Sequence, residues 1–320
     1  MPGLGWIVQP AAFPWVALAF GLCIGSFLNV VIHRLPRIIS RDWELDAKSI
    51  LEITSDTRRE WRRWKSSTSK KKQNTRKKPL APRAFSYSGT YNLIRPRSGC
   101  PSCGHFIRWW ENIPVLSYLV LLQGRCSNCG TLISIRYPLV EILAGIGTAW
   151  SASHFGFGAQ AFAAAFFIWC TIALAFIDQE TGYLFDDITV PLLWVGLMFN
   201  TYGTFVPLSE AVIGAIVGYL ALWTINALFK LVRGIDGMGY GDFKMTAAVG
   251  AFVGWKYLFL VVLLSSCIGL VFGLLQMISA RRGWDGKFKF HFGPYIAIAG
   301  IATMFYGQAM YVWVPALRVF

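Results

Sequence analysis

Apolar residues in this chain fall in long runs, not in the short alternating or amphipathic patterns of a water-soluble domain. The run Ala11–Ile32 carries no charged residue and is long enough to cross a bilayer as a helix. Further apolar runs follow at 137–153, 158–177, 188–206, 209–229, 243–254, 257–280 and 293–315, separated by short polar breaks. The run 243–254 is the shortest. It makes about 18 Å of helix against a hydrocarbon core of ~30 Å, so either a short helix packed within protein or one that borrows residues from its flanks is expected there. Between the first and second runs, residues 34–136 form one long polar insert. The pattern predicts an all-α polytopic membrane protein of about eight transmembrane helices, in three parts: a first transmembrane helix (1–33), a small polar domain (34–136) and a seven-helix membrane domain (137–320). Paired small residues (Gly21/Gly25, Gly214/Gly218, Gly250/Gly254, Gly269/Gly273) recur in the runs. They predict close helix packing within the chain ahead of a dimer interface.

Composition agrees with this picture. Hydrophobic residues make up 55% and charged residues 14%, where about 25% charged is usual for a soluble domain. Mean hydropathy is +0.49. An ordinary soluble enzyme, a disulfide-rich secreted scaffold and a disordered chain are all excluded. The stretch 1–33 holds no Lys or Arg, so the basic region that opens a secretory signal peptide is not expected here.

Charge assigns the topology. The net charge is +14, and residues 34–136 carry all of it, with 21 Lys/Arg against 7 acids. Arg34, Arg37 and Arg41 follow the first run directly, which puts the N-terminus outside and the insert in the cytoplasm. Eight spans then make 34–136, 178–187, 230–242 and 281–292 cytoplasmic. Counting Lys244 with them, 28 of the 30 basic residues lie inside, Lys256 and Arg318 being the exceptions. The stretch Lys65–Lys78 is low-complexity and basic, and a mobile loop is expected. A basic domain with Trp43, Trp61, Trp64, Trp109 and Trp110 invites base stacking on nucleic acid. A juxtamembrane basic segment is more commonly drawn to anionic lipid headgroups, and lipid is the expected partner, with no nucleic acid.

Two sets of residues carry chemistry. The first is Cys100-Pro-Ser-Cys103 and, further along, Cys126-Ser-Asn-Cys129, each pair followed by a glycine (Gly104, Gly130). Two CxxC knuckles at this spacing suit a tetrahedral four-thiolate zinc site. Two disulfides are the alternative, disfavoured in a reducing cytoplasm. A closed four-cysteine site leaves no open position for substrate, so the zinc is expected to be structural. The remaining cysteines, Cys23, Cys170 and Cys267, lie in apolar runs and read as small apolar residues. The second set follows from the scarcity of acids outside the insert. Asp178 ends the apolar run before the 178–187 break, and Asp242 sits in Gly239-Tyr240-Gly241-Asp242, just before the short run. Both lie at the same membrane edge in the predicted topology. Two adjacent carboxylates resist ionising together and share a proton, which suits activation of water and protonation of a leaving amine. A helix-end anchor for Asp178, a helix N-cap for Asp242, or a proton-coupled transporter using both acids remain open on spacing alone. So does a membrane-anchored zinc-ribbon adaptor.

The ordered motifs narrow this choice. GSFLNVVIHRLP at Gly25–Pro36, the two CxxC pairs, RYPLVE at Arg136–Glu141, Asp178 with Asp186, GMGYGDFK ending at Lys244, and Phe292-Gly293-Pro294-Tyr295 run along most of the chain. In this order they resemble the type IV prepilin peptidases, the bifunctional leader peptidases and N-methyltransferases of type IV pilus and type II secretion systems. Only about 38–92 lacks a counterpart. The resemblance implies catalytic aspartates at Asp178 and Asp242. Where that family has an Asp and a Pro near the first aspartate, Glu180 and Phe185 stand here, and Asp187 adds an acid beside Asp186. It implies an enzyme of the bacterial inner membrane that cleaves prepilins or pseudopilins after a glycine at the cytoplasmic face. The new N-terminal residue, often Phe, is then methylated with S-adenosylmethionine as donor. No glycine-rich nucleotide motif identifies that donor's site, and the insert, including Glu111 and Gly124, is the region expected to serve it.

Overall fold

The computed structural model describes residues 12–53, 91–279 and 291–313. The basic stretch Lys65–Lys78, Trp61, Trp64, Arg281, Arg282, Lys287, Lys289 and Arg318 lie outside the described residues. Among the described residues the secondary structure is helical, with two isolated antiparallel bridges and no longer strand. Helix α1 runs Phe13–Ile53, α2 Arg136–Phe155, α3 Ala159–Thr181, α4 Asp186–Asn200, α5 Leu208–Arg233, α6 Tyr240–Val253, α7 Leu258–Ser279 and α8 Gly293–Trp313. Among the described residues, four stretches are both long and apolar enough to cross a membrane: Phe13–Ala47, α3, α5 and Trp255–Gln276.

The first departure from the hydropathy pattern is α1. Its apolar run ends at Ile32, yet the helix continues through Pro36 as far as Ile53. Proline withholds one backbone N–H and strains the turn before it. The helix still persists there, with the Ser40 hydroxyl donating to the Pro36 carbonyl at 2.7 Å. Beyond it, Glu44, Leu45, Ala47 and Lys48 are good helix formers. Leu35 and Ile39 carry the apolar stripe of the span onward and pack against the core. The polar insert therefore begins as a helical extension of the first span.

Small residues decide how the helices meet. A Cβ at Gly21 would run into Thr148, and one at Gly25 into the Glu141 backbone, so α1 and α2 lie almost backbone to backbone. The Asn29 amide closes this pair by donating to the Tyr137 carbonyl at 3.0 Å. Gly214 and Gly250 approach each other in the same way across α5 and α6, with Gly218 against Thr246 and Ala247. At these glycines the missing side chains serve close packing between helices of the chain.

Helix α3 is the hub. One face (Ala164, Ile168, Ile172, Ile177) packs with α1 and α2 residues such as Ile32 and Val140. Its other face (Ala163, Phe167, Leu174) packs with Leu192, Val249, Phe252 and Ile296 from α4, α6 and α8. An alanine-rich helix suits this position because short side chains let neighbours close in on every side. Helix α6 is buried from Asp242 through Val253 except at Lys244. It spans 14 residues, about 21 Å, and is enclosed by protein as its length predicts. Two buried asparagines hold its ends. Asn200 donates to the Ala251 and Phe252 carbonyls and accepts from the Phe205 and Val206 N–H groups. Asn226 accepts from the Gly237 and Met238 N–H groups in the loop leading into α6.

Candidate active site

Asp178 occupies the last turn of α3 and is 5% exposed. The chain leaves the helix at Gly182, whose left-handed backbone (φ +72°) returns its N–H to the Asp178 carbonyl at 2.7 Å. Only glycine adopts that conformation without strain. The side chain is held by a different element. The N–H of Gly293, the first residue of α8, donates to Asp178 Oδ2 at 3.0 Å. A helix N-terminus has unpaired N–H groups to offer a carboxylate. A Cβ at Gly293 would sit 2.7 Å from the same oxygen, so this approach requires glycine.

Asp242 lies in the first turn of α6 and is 8% exposed. Its own N–H reaches the Gly239 carbonyl at 3.2 Å, which starts the helix. Gly241 sits under the α3–α4 loop, where a Cβ would be 2.7 Å from Leu184 Cβ. The Gly-Tyr-Gly segment therefore lets the loop after α3 and the loop before α6 lie in direct contact, bringing the two aspartates to one place.

Asp178 and Asp242 line the same cavity of about 520 Å³, with Gly182–Asp187 on one wall and Gly239–Gly241 on the other. Asp186 stands at its edge in a two-oxygen ion pair with Lys244 (2.8 and 2.7 Å), so Asp186, and not its neighbour Asp187, ties α4 to α6. Glu180 instead faces Arg136 at the start of α2. A residue from the far end of α1 completes the cavity. Trp43 lines it and forms an aromatic cluster with Tyr183 and Phe185, with ring centroids 6.1, 6.2 and 6.3 Å apart. By sequence Trp43 belongs with the insert's aromatics, a candidate for base stacking. The signal that would place it is the spacing Ile32, Leu35, Ile39, Trp43, one helical stripe carried through Pro36. A second cavity of about 460 Å³ lies between α1 and the last turn of α3, and its polar walls include His33, Arg37, Arg41, Glu44 and Glu180.

The four insert cysteines converge at a separate place. Their sulfurs all lie within 4.8 Å of one another, with Cys100–Cys129 at 3.7 Å and Cys103–Cys126 at 3.9 Å. The two knuckles are built alike. Gly104 N–H returns to the Cys100 carbonyl and Gly130 N–H to that of Cys126, both at 2.9 Å, with left-handed glycines at φ +73° and +68°. A tetrahedral thiolate site with metal–sulfur bonds of about 2.3 Å has sulfur–sulfur edges of about 3.8 Å. The donor set and its spacing thus fit a metal ion, and all four cysteines are free of disulfides. Hydrogen bonding to Thr131 pulls the Cys129 thiol down to about 6, which favours the thiolate. Glu111 accepts from the Arg108 N–H at 2.8 Å, and Gly124 (φ +70°) packs on Tyr118.

Comparison with known proteins gives a consistent result. The profile described as "Bacterial Peptidase A24 N-terminal domain" matches residues 19–155, and that of the "Type IV leader peptidase family" matches residues 165–274. Relatives named "Prepilin leader peptidase/N-methyltransferase" cover most of the chain. One from Stutzerimonas stutzeri is 44% identical over 94% of this chain and 93% of its own length. One from Pseudomonas aeruginosa is 41% identical over 96% of each, and one from Burkholderia pseudomallei 44% identical over 92% of this chain and 86% of its own. No solved structure matches significantly.

Proposed function

Because this chain belongs to the type IV leader peptidase family, we propose that it removes the leader of type IV prepilins, and of the related pseudopilins, with Asp178 and Asp242 as the catalytic pair. It is an all-α membrane enzyme that combines a prepilin leader peptidase with an N-methyltransferase. The observation that carries the assignment is that both aspartates line one cavity although they come from different helices, α3 and α6. The two carboxyl groups hold one proton between them. The unprotonated one takes a proton from water as the oxygen attacks the scissile carbonyl, and the protonated one passes its proton to the leaving amine as the C–N bond breaks. The N–H of Gly293 keeps Asp178 aimed into the cavity while this happens. The cavity faces the cytoplasm, on the side assigned by the basic residues.

The cleavage product has a free amine for the second reaction. S-adenosylmethionine, when bound, supplies the methyl group. The cavity beside the last turn of α3 fits such a donor chemically, with Arg37 and Arg41 for a carboxylate and Glu44 for an ammonium. The four cysteines hold a structural zinc ion that fixes the fold of the insert, and anionic headgroups are the lipid partner that the basic charge of the insert attracts. A proton-coupled transporter or a zinc-ribbon adaptor would leave prepilin unprocessed.

Incubation of the purified enzyme with a prepilin and labelled S-adenosylmethionine tests the reading. Asp178→Asn and Asp242→Asn should each abolish cleavage while leaving zinc content and thermal stability near those of the parent. Full cleavage by either variant removes that residue from the mechanism.

A further inference from the structure

The insert is the most highly charged part of the chain, yet one of its segments is apolar and open. Leu116, Leu119, Val120 and Leu121 are each more than half exposed. They lie in and beside a single turn of wide helix, Ser117–Leu121. Trp109, 78% exposed, and Trp110 pack edge to face just before it, their centroids 5.5 Å apart.

The height of this segment relative to the bundle follows from its attachments. The Val115 N–H donates to Glu141 Oε2 at 2.8 Å. Glu141 sits beside Gly25 of α1, where a Cβ would meet the Glu141 Cα. Gly25 precedes Arg34 on α1 by about 13 Å along the helix axis. Arg34 marks the polar side, with its guanidinium bonded to the Asn92 and Leu93 carbonyls of the insert. The segment after Val115 therefore hangs from the bundle well to the membrane side of Arg34. On α2, Leu139, Ile142, Leu143 and Ile146, on either side of Glu141 in the chain, are also exposed.

Its backbone suits lipid. Irregular chain can enter a bilayer only where its N–H groups are paired. Here Val115 pairs with Glu141, Ser117 with Ile113, Leu119 with Val115 and Leu122 with Ser117. Tryptophans beside an apolar turn are the usual occupants of the headgroup boundary.

We propose that Val115–Leu122 is a membrane anchor: an apolar turn of the cysteine-bearing domain inserted among the acyl chains of the leaflet nearest Arg34. The domain is thereby held against the bilayer by this turn as well as by its attachment to the helices on either side.

The test uses the intact enzyme in vesicles of phosphatidylethanolamine and phosphatidylglycerol. A diazirine probe dissolved in the acyl phase is photolysed, and labelled residues are mapped by mass spectrometry. Leu116–Leu121 should label to the same extent as Leu270–Leu275 of α7, while Ser102 and Ser127 beside the cysteines stay unlabelled. Leu119→Asp combined with Leu121→Asp should lose the label on this segment and keep it on α7. An unlabelled segment beside a labelled α7 overturns the proposal, whether water or a second copy of the chain covers it. Absence of label on α7 as well would instead overturn the membrane assignment itself.

Discussion

At the scale of single residues, glycine does as much to shape the aspartate cavity as the carboxylates do. Gly293 shows why. Its N–H holds Asp178 at 3.0 Å, and the space its missing side chain leaves is already filled by the carboxylate. Gly293→Ala keeps the donor but forces the carboxyl group aside. A displacement of about 1 Å at a reacting group can cost about 100-fold in rate, so cleavage should fall by about that factor. Initial-rate assays on a prepilin check this, with metal content as the control for folding. Gly293 belongs to a motif recognisable in the sequence, but its contact with Asp178 joins residues 115 positions apart. No local pattern records that contact.

At the scale of elements, α6 explains how a short helix survives inside a membrane protein. It is too short for both of its ends to reach the polar surfaces of a bilayer, so protein groups hold them, above all Asn200 and Asn226. Asn226→Ala removes the acceptor for two N–H groups of the loop carrying Gly239. These bonds are only part-buried, so losing each costs about 0.5–1.5 kcal/mol. The variant should unfold at lower temperature in a thermal melt in detergent, and cleavage should fall with it because Asp242 follows directly on that loop. Lys244 and Asp186 are both exposed, and pairs of this kind contribute little to stability. Their ion pair positions the α4–α6 edge of the cavity. The α1 extension belongs to the same scale. Hydropathy ends the first span at Ile32, since the residues after it are charged, but helix formation depends on propensity and on the apolar stripe, and both continue to Trp43.

At the scale of the whole molecule, the cysteine cluster and the aspartate cavity are separate structures joined through α1 and α2. Metal removal should therefore act on the insert first. Chelation, or Cys126→Ser, should release about one zinc per chain and expose 100–129 to limited proteolysis, while Asp178 and Asp242 keep their cavity and cleavage persists. Thiolates hold the metal only when deprotonated, so release should also follow acidification. Zinc analysis after dialysis at falling pH checks this. Retention of the metal by Cys126→Ser would remove the four-thiolate site.

Much of this protein could be read from the chain alone. Long apolar runs specify helices in lipid, because an unpaired backbone is prohibitively costly there. The CxxC spacing specifies a four-thiolate site because each knuckle is a local turn completed by its own glycine. The ordered motifs point to the family and with it to Asp178 and Asp242. What the sequence could not decide were contacts between distant segments: Gly293 on Asp178, Gly241 beneath Leu184, Lys244 on Asp186, Trp43 in the cavity wall, and Val115 tied to Glu141. Each joins residues far apart in the chain, and each depends on where α3 places its neighbours. Pattern along a chain reports which face of a helix is apolar. Only packing decides what that face meets.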